Sequence, residues 1–147
     1  MLMPGREAIA RLVPHQGAMC LLDRALSWDA TTILCESGRH RDPDNPLRRD
    51  GILPAICGLE FALQAMALHG ALRAGAAQPL GFVSSLREVA LGATRLDHLP
   101  GPLRIEAEAL VAESGGFIYR FAISHGGESL LHGQAAIILS ATMAATP

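Results

Sequence analysis

The sequence predicts an α+β fold, with one long helix wrapped by a strongly curved antiparallel sheet. Three observations carry that prediction. Residues 51–72, GILPAICGLEFALQAMALHGAL, are apolar around nearly the whole circumference of a helix, and such a helix needs cover on nearly all sides. The second half of the chain changes period. In PLRIEAEALV, Leu103, Ile105, Ala107, Ala109 and Val111 share one face and Arg104, Glu106 and Glu108 the other, which is the alternation of a half-buried strand. Paired glycines, Gly115-Gly116 and Gly126-Gly127, then punctuate the alternating runs, as hairpin turns do.

In chain order, residues 6–12 read as a short helix ended by a turn at Pro14. Residues 20–28 (CLLDRALSW) read as a strand, Asp29 and Ala30 as a turn, and residues 31–37 (TTILCES) as the β-branched return of a hairpin. Residues 38–50 (GRHRDPDNPLRRD) set Arg39, Arg41, Arg48 and Arg49 among acidic residues, His40 and two prolines; this is a polar loop. Pro54 suits the first turn of the long helix and Gly75 its C-terminal cap, so the helix spans about residues 54–74. Residues 82–89 supply one strand and 103–111 the next. Phe117, Tyr119, Phe121 and Ile123 alternate along a third, and residues 129–140 form the last. This is the logic of a hot-dog fold, a single domain over residues 1–147. The side of the helix that the sheet leaves open calls for a partner subunit, so at least a dimer is expected.

At 147 residues, half of them hydrophobic and 18% charged, the chain can bury one core. A formal charge of −2 gives no general attraction to nucleic acid or to an anionic membrane. The chain has no Lys, and its 12 basic side chains other than His are all Arg, a bias consistent with genome composition and equally with bidentate phosphate contacts. Cys20, Cys35 and Cys57 are widely spaced with no C-x-x-C, and His125 and His132 have no partner pair, so neither a disulfide framework nor a metal site is indicated. Arg6, Glu7 and Arg11 interrupt the N-terminus, unlike a signal peptide. Pro54, Glu60, Gln64 and His69 break the apolar run of residues 51–72, which reads as a buried helix of a soluble, cytoplasmic protein rather than a membrane span.

One charge stands near the middle of that run. Ile56, Cys57, Leu63 and Gln64 lie one turn either side of Glu60, so nothing basic on the helix pairs with it. Apolar surroundings disfavour its charged form, which suits a group that donates or accepts a proton near neutral pH. A buried polar group left unpaired costs roughly 1–3 kcal/mol, and tolerating that cost points to use. The structural alternative is a carboxylate hydrogen-bonded across a subunit interface or reaching solvent at a pocket mouth.

The run LPAICGLEFALQAMA, with Pro54, Glu60 and Gln64, resembles the central-helix signature of 3-hydroxyacyl-acyl-carrier-protein dehydratases of the FabZ and FabA types. Gly58-Leu59-Glu60 is similar to the Gly-Leu-Asp of the FabA type. VPHQGAMCLLDRAL, with Pro14, His15, Leu22, Asp23 and Arg24, resembles the opening of the FabZ type, and PLRIEAEAL that family's late strand. The resemblance spans about residues 13–140. It implies a hot-dog dimer that eliminates water from a 3-hydroxyacyl thioester in fatty-acid or polyene synthesis. It implies no cofactor, the substrate riding on the phosphopantetheine of an acyl carrier protein or on CoA. Glu60 then takes the role of the helix carboxylate that assists departure of the hydroxyl. The Ala55 N–H becomes the donor to the thioester carbonyl, and Gln64 orients Glu60.

The family's catalytic His stands fourteen residues before the carboxylate, where this chain has Pro46. Asn45 is adjacent, Asp50 occupies a position that is His in one type and Asp in the other, and His40 lies further up the loop. His15 has a weaker claim as base and an architectural alternative; His69, on the opposite side of the helix from Glu60, reads as surface or interface. The dehydratase-like proteins of aryl-polyene clusters look similar, sharing the Asn45-Pro46, Asp50-Gly51 and Pro54-Ala55 approach to the helix, and some of them work beside a second, His-bearing subunit. Arg48 and Arg49 are candidates for the phosphate of a pantetheine arm or an acidic carrier surface, with a solvated loop as the alternative. Two other functions stay open: a non-catalytic subunit pairing with a His-bearing dehydratase, and a hot-dog acyl thioesterase whose carboxylate activates water.

Overall fold

The computed structural model describes residues 3–14, 17–79, 81–113 and 115–139. The short helix α1 is Arg6–Leu12. A 3-10 turn, Ala55–Cys57, leads into the long helix α2, Gly58–Ala74. Both ends form where local chemistry places them. Pro54 stands before the 3-10 turn, and Gly75, at φ 75°, takes the left-handed conformation from which its N–H reaches the Ala71 carbonyl.

Six strands form one antiparallel sheet: β1 (Arg24–Trp28), β2 (Thr32–Ser37), β3 (Gly81–Leu91), β4 (Leu103–Glu113), β5 (Gly116–His125) and β6 (Glu128–Leu139), in the spatial order β1-β2-β4-β5-β6-β3. The alternation in the sequence sets which side chains face the helix. Leu103, Ile105 and Ala107 of β4 and Tyr119, Phe121 and Ile123 of β5 are buried. They pack around Phe61, Ala62, Ala65 and Leu68 of α2, all fully buried. A bulge between Ala109 and Val111 ends the regular alternation of β4. Helix and sheet approach closely at Gly58, where a Cβ would lie 3.2 Å from Leu131 and 3.5 Å from Ile123. The helix is long and apolar enough to cross a bilayer by length and composition, yet much of it lies inside this sheet.

Two expectations need correction here. Residues 20–28 are not one strand, because β1 starts only at Arg24; ahead of it the Leu21 N–H bonds to the Gln64 side chain rather than to a neighbouring strand. Residues 38–50 are more ordered than a polar loop. They contain a 3-10 turn, Arg39–Arg41, and a tight turn in which Asp50 (φ 52°) and Gly51 (φ 77°) join the bridged Arg49 and Ile52. Positive φ at both central positions is the signature of a type I′ turn, for which Asp-Gly is a preferred pair.

Strand β3 is the edge of the sheet beyond β6 and is exposed along its length. Its apolar side chains are on view, Phe82 at 45% and Leu91 at 54%. A long apolar edge of this kind is a template for pairing with another chain.

Candidate active site

The start of the long helix is stitched to residues 93–97. The Leu53 N–H donates to Asp97 Oδ1 (2.8 Å), the Leu96 N–H to the Leu53 carbonyl (2.8 Å) and the Ala55 N–H to the Thr94 carbonyl (3.0 Å). Asp97 is itself held by the Arg95 guanidinium, whose Nε lies 3.0 Å from Oδ1. That partner holds the Asp97 carboxyl far below the usual carboxylate range. The Ala55 N–H is therefore not the free donor expected from its place at a helix start. The Cys57 N–H bonds to Pro54 O and the Gly58 N–H to Ala55 O and Ile56 O, which leaves the Ile56 N–H outside the ladder of the turn. Ile56 is 46% exposed and lines an open depression with Pro54, Leu91 and Thr94.

Glu60 sits one turn further along on the same face of the helix. It is half-buried, not enclosed, and makes no hydrogen bond or ion pair to any other described residue. It stands at the wall of an apolar cavity of about 200 Å³ bounded by Leu63, Ala67 and Gly70 of α2, Phe117 and Tyr119 of β5, and Ile137 of β6. Cys57, three residues before it, is half-buried; burial first and the Glu60 charge second push its thiol up.

The other residues singled out from the sequence fall elsewhere. Gln64 is fully buried, but its amide clamps the segment before β1: Oε1 accepts the Leu21 N–H (2.8 Å) and Nε2 donates to the Met19 carbonyl (2.6 Å). It does not orient Glu60. Asn45 is buried as a loop brace, its Nδ2 donating to the Arg39 carbonyl and its Oδ1 accepting the Leu47 N–H, both at 2.9 Å. Asp50 is exposed in the type I′ turn. Arg48 staples the loop, donating to the Gly51 carbonyl (2.9 Å) and the His40 carbonyl (3.1 Å). Arg49 is exposed, and its charge is felt at Cys57 beside the helix start. His40 is fully buried: Nε2 donates to the Leu99 carbonyl (2.9 Å), Nδ1 has no partner among the described residues, and burial lowers its pKa. His15 lies outside the described residues.

Sequence reasoning missed the polar pair beside the cavity. His69 is not at the surface; it is fully buried, with Nδ1 2.7 Å from the Tyr119 hydroxyl and Nε2 2.8 Å from the Asp29 carbonyl. Burial lowers the His69 pKa and pushes that of Tyr119 up to about 12. A signal was present, because the period-two pattern turns Tyr119 inward and a buried tyrosine hydroxyl needs a partner. Among the described residues no three His, Cys, Asp or Glu side chains cluster as metal ligands.

A helix carboxylate beside an apolar cavity, inside a sheet that curls around the helix, places this chain among the hot-dog proteins. The ApeP-like family, ApeP dehydratase, matches residues 7–146, and the chain belongs to that family. It is a dehydratase-like protein by that membership. Among solved structures, a chain of the dehydratase heterocomplex ApeI:P from Xenorhabdus doucetiae superposes with a TM-score of 0.79 at 22% identity, covering 89% of this chain and 90% of that one. A mutant thioesterase from Pseudomonas aeruginosa gives a TM-score of 0.55 at 11% identity over 79% of each chain. A hypothetical thioesterase with coenzyme A from Streptococcus pneumoniae gives 0.55 at 10% identity, covering 78% of this chain and 83% of that one. At these identities the structures share the fold with this chain. A comparison with curated protein sequences found no match.

Proposed function

We propose that this chain is one half of a 3-hydroxyacyl-thioester dehydratase, supplying the acid and the acyl cavity while a related, His-bearing hot-dog subunit supplies the base. The observation that carries the reading is Glu60, a carboxyl group without a hydrogen-bonding partner among the described residues, at the wall of an apolar cavity that no described His lines. In the reaction the partner's base takes the C2 proton. The C2–H electron pair becomes the C2–C3 double bond, and the C3 hydroxyl leaves as water with the proton of the Glu60 carboxyl group. The products are water and a 2-enoyl thioester, and the proton on the base returns to Glu60 to complete the cycle. The Ile56 N–H, one turn before Glu60, is the donor for the charge that develops on the thioester oxygen. Arg49 is the cation available to the phosphate of a pantetheine arm or to an acidic carrier protein.

The exposed apolar edge β3 supports pairing with a second subunit, and the ApeI:P structure is a heterocomplex of that kind. The test is to incubate the protein with a 3-hydroxyacyl carrier-protein thioester, alone and with the His-bearing homologue from the same organism, and to follow the acyl mass. Loss of water only in the mixture supports the proposal. Loss of water with the chain alone would place the base within this chain, and release of free acid would make it a thioesterase.

A further inference from the structure

We infer that Gly70 sets the length of acyl chain this protein accepts. The inference rests on the acyl-thioester reading of the site. Glu60, Leu63, Ala67 and Gly70 form one stripe of α2 along the cavity, with the spacing of a single helix face. The stripe rises by ten residue steps from Glu60 to Gly70, which at 1.5 Å per step is about 15 Å. An extended chain advances roughly 1.2 Å per bond, so about twelve bonds lie between the reacting carbons and the far end of the stripe. The volume sets a shorter limit, since an apolar cavity of about 150 Å³ holds a benzene and one of about 200 Å³ holds on the order of eight carbons.

The cavity continues at Gly70 because that residue has no side chain. A Cβ there would meet nothing within 4 Å, so the space beside it is open, and Gly70 is part of the cavity lining. The wall at this level is fixed on its other side. Tyr119, which lines the same cavity, is 1% exposed, and its hydroxyl is tied at 2.7 Å to the buried His69. Neither ring can swing away without leaving a buried polar atom unpaired. A glycine in the fourth turn of a helix is otherwise unfavourable, and no positive φ requires it there. Filling the notch therefore shortens the cavity while the helix itself gains a better helix former.

The test uses saturated acyl-pantetheine thioesters of graded length, titrated calorimetrically into the wild-type assembly and into assemblies carrying Gly70→Ala or Gly70→Leu. Wild-type affinity is expected to rise with length and level off between about eight and about twelve bonds beyond the reacting centre. Gly70→Leu should move the plateau to shorter chains, with the longest losing at least tenfold in affinity and the shortest unchanged; Gly70→Ala should lie between. An identical length profile in all three folded proteins overturns the inference while leaving the dehydratase reading intact. Absence of binding at every length overturns both. A shifted profile without water loss in the activity assay supports Gly70 as the ruler and removes the dehydratase reading alone.

Discussion

The Tyr119 hydroxyl and His69 Nδ1 lie 2.7 Å apart, and the direction of the bond between them is fixed by a third group. His69 Nε2 lies 2.8 Å from the Asp29 carbonyl. A carbonyl only accepts, so Nε2 carries the ring proton; burial keeps the ring neutral, and Nδ1 accepts the tyrosine proton. Tyr119→Phe leaves that nitrogen buried and unpaired, at an expected cost of about 1–3 kcal/mol. Urea unfolding should show a lower midpoint with the same slope. An unchanged midpoint contradicts the pairing.

The buried histidines also predict how stability changes with pH. His69 and His40 are held below their ordinary 6.5, in both cases chiefly by burial. The unfolded chain then binds protons that the folded chain refuses, so their contribution is complete above about pH 6.5 and is lost as pH falls from there through the folded values. Asp97, depressed chiefly by its hydrogen bond to Arg95 from an ordinary 3.8, contributes in full above that value and loses its contribution only in stronger acid. Two separate declines are expected in a pH series of urea midpoints. His69→Gln should flatten the upper one, and a series already flat across it contradicts the burial argument.

Gln64 gives a prediction that separates a structural role from a catalytic one. Its amide makes two bonds to the backbone at Met19 and Leu21, and Oε1 and Nε2 have no apolar substitute. Gln64→Leu should destabilise the protein by about 2–6 kcal/mol, the sum of roughly 1–3 for each of two backbone groups left unsatisfied, with the half-buried Met19 carbonyl at the lower end. Thermal unfolding should register the loss whether or not substrate is present. Unchanged stability with lost activity would return Gln64 to the task of orienting Glu60.

These residues also mark how far the sequence could be read. The end of α2 was legible because Gly75 acts on its own neighbours, its start only to within a turn, since Pro54 stands extended before a 3-10 turn and the α-helix begins at Gly58; β4 and β5 were legible because their alternation is local. The start of β1 was not, since the group that takes the Leu21 N–H is 43 positions away. Ala55 reads as a free helix-start amide for the same reason, its acceptor Thr94 being remote in sequence. His69 was placed correctly opposite Glu60 on the helix, but the burial was exchanged: Glu60 lies on the half-buried stripe that lines the cavity and His69 on a fully buried one. Periodicity tells which residues share a face. It does not tell which face a curved sheet will leave uncovered.

The central claim is that the Glu60 carboxyl group gives its proton to the departing hydroxyl. The most direct measurement is the rate of water loss from a 3-hydroxyacyl carrier-protein thioester by the assembly with its His-bearing partner, comparing wild type with Glu60→Gln. Glutamine keeps the shape and cannot act as the acid, so kcat should fall by about 10²–10⁴ with KM little changed and the fold intact. Wild-type kcat in the Glu60→Gln assembly would contradict the account and move the acid to another residue.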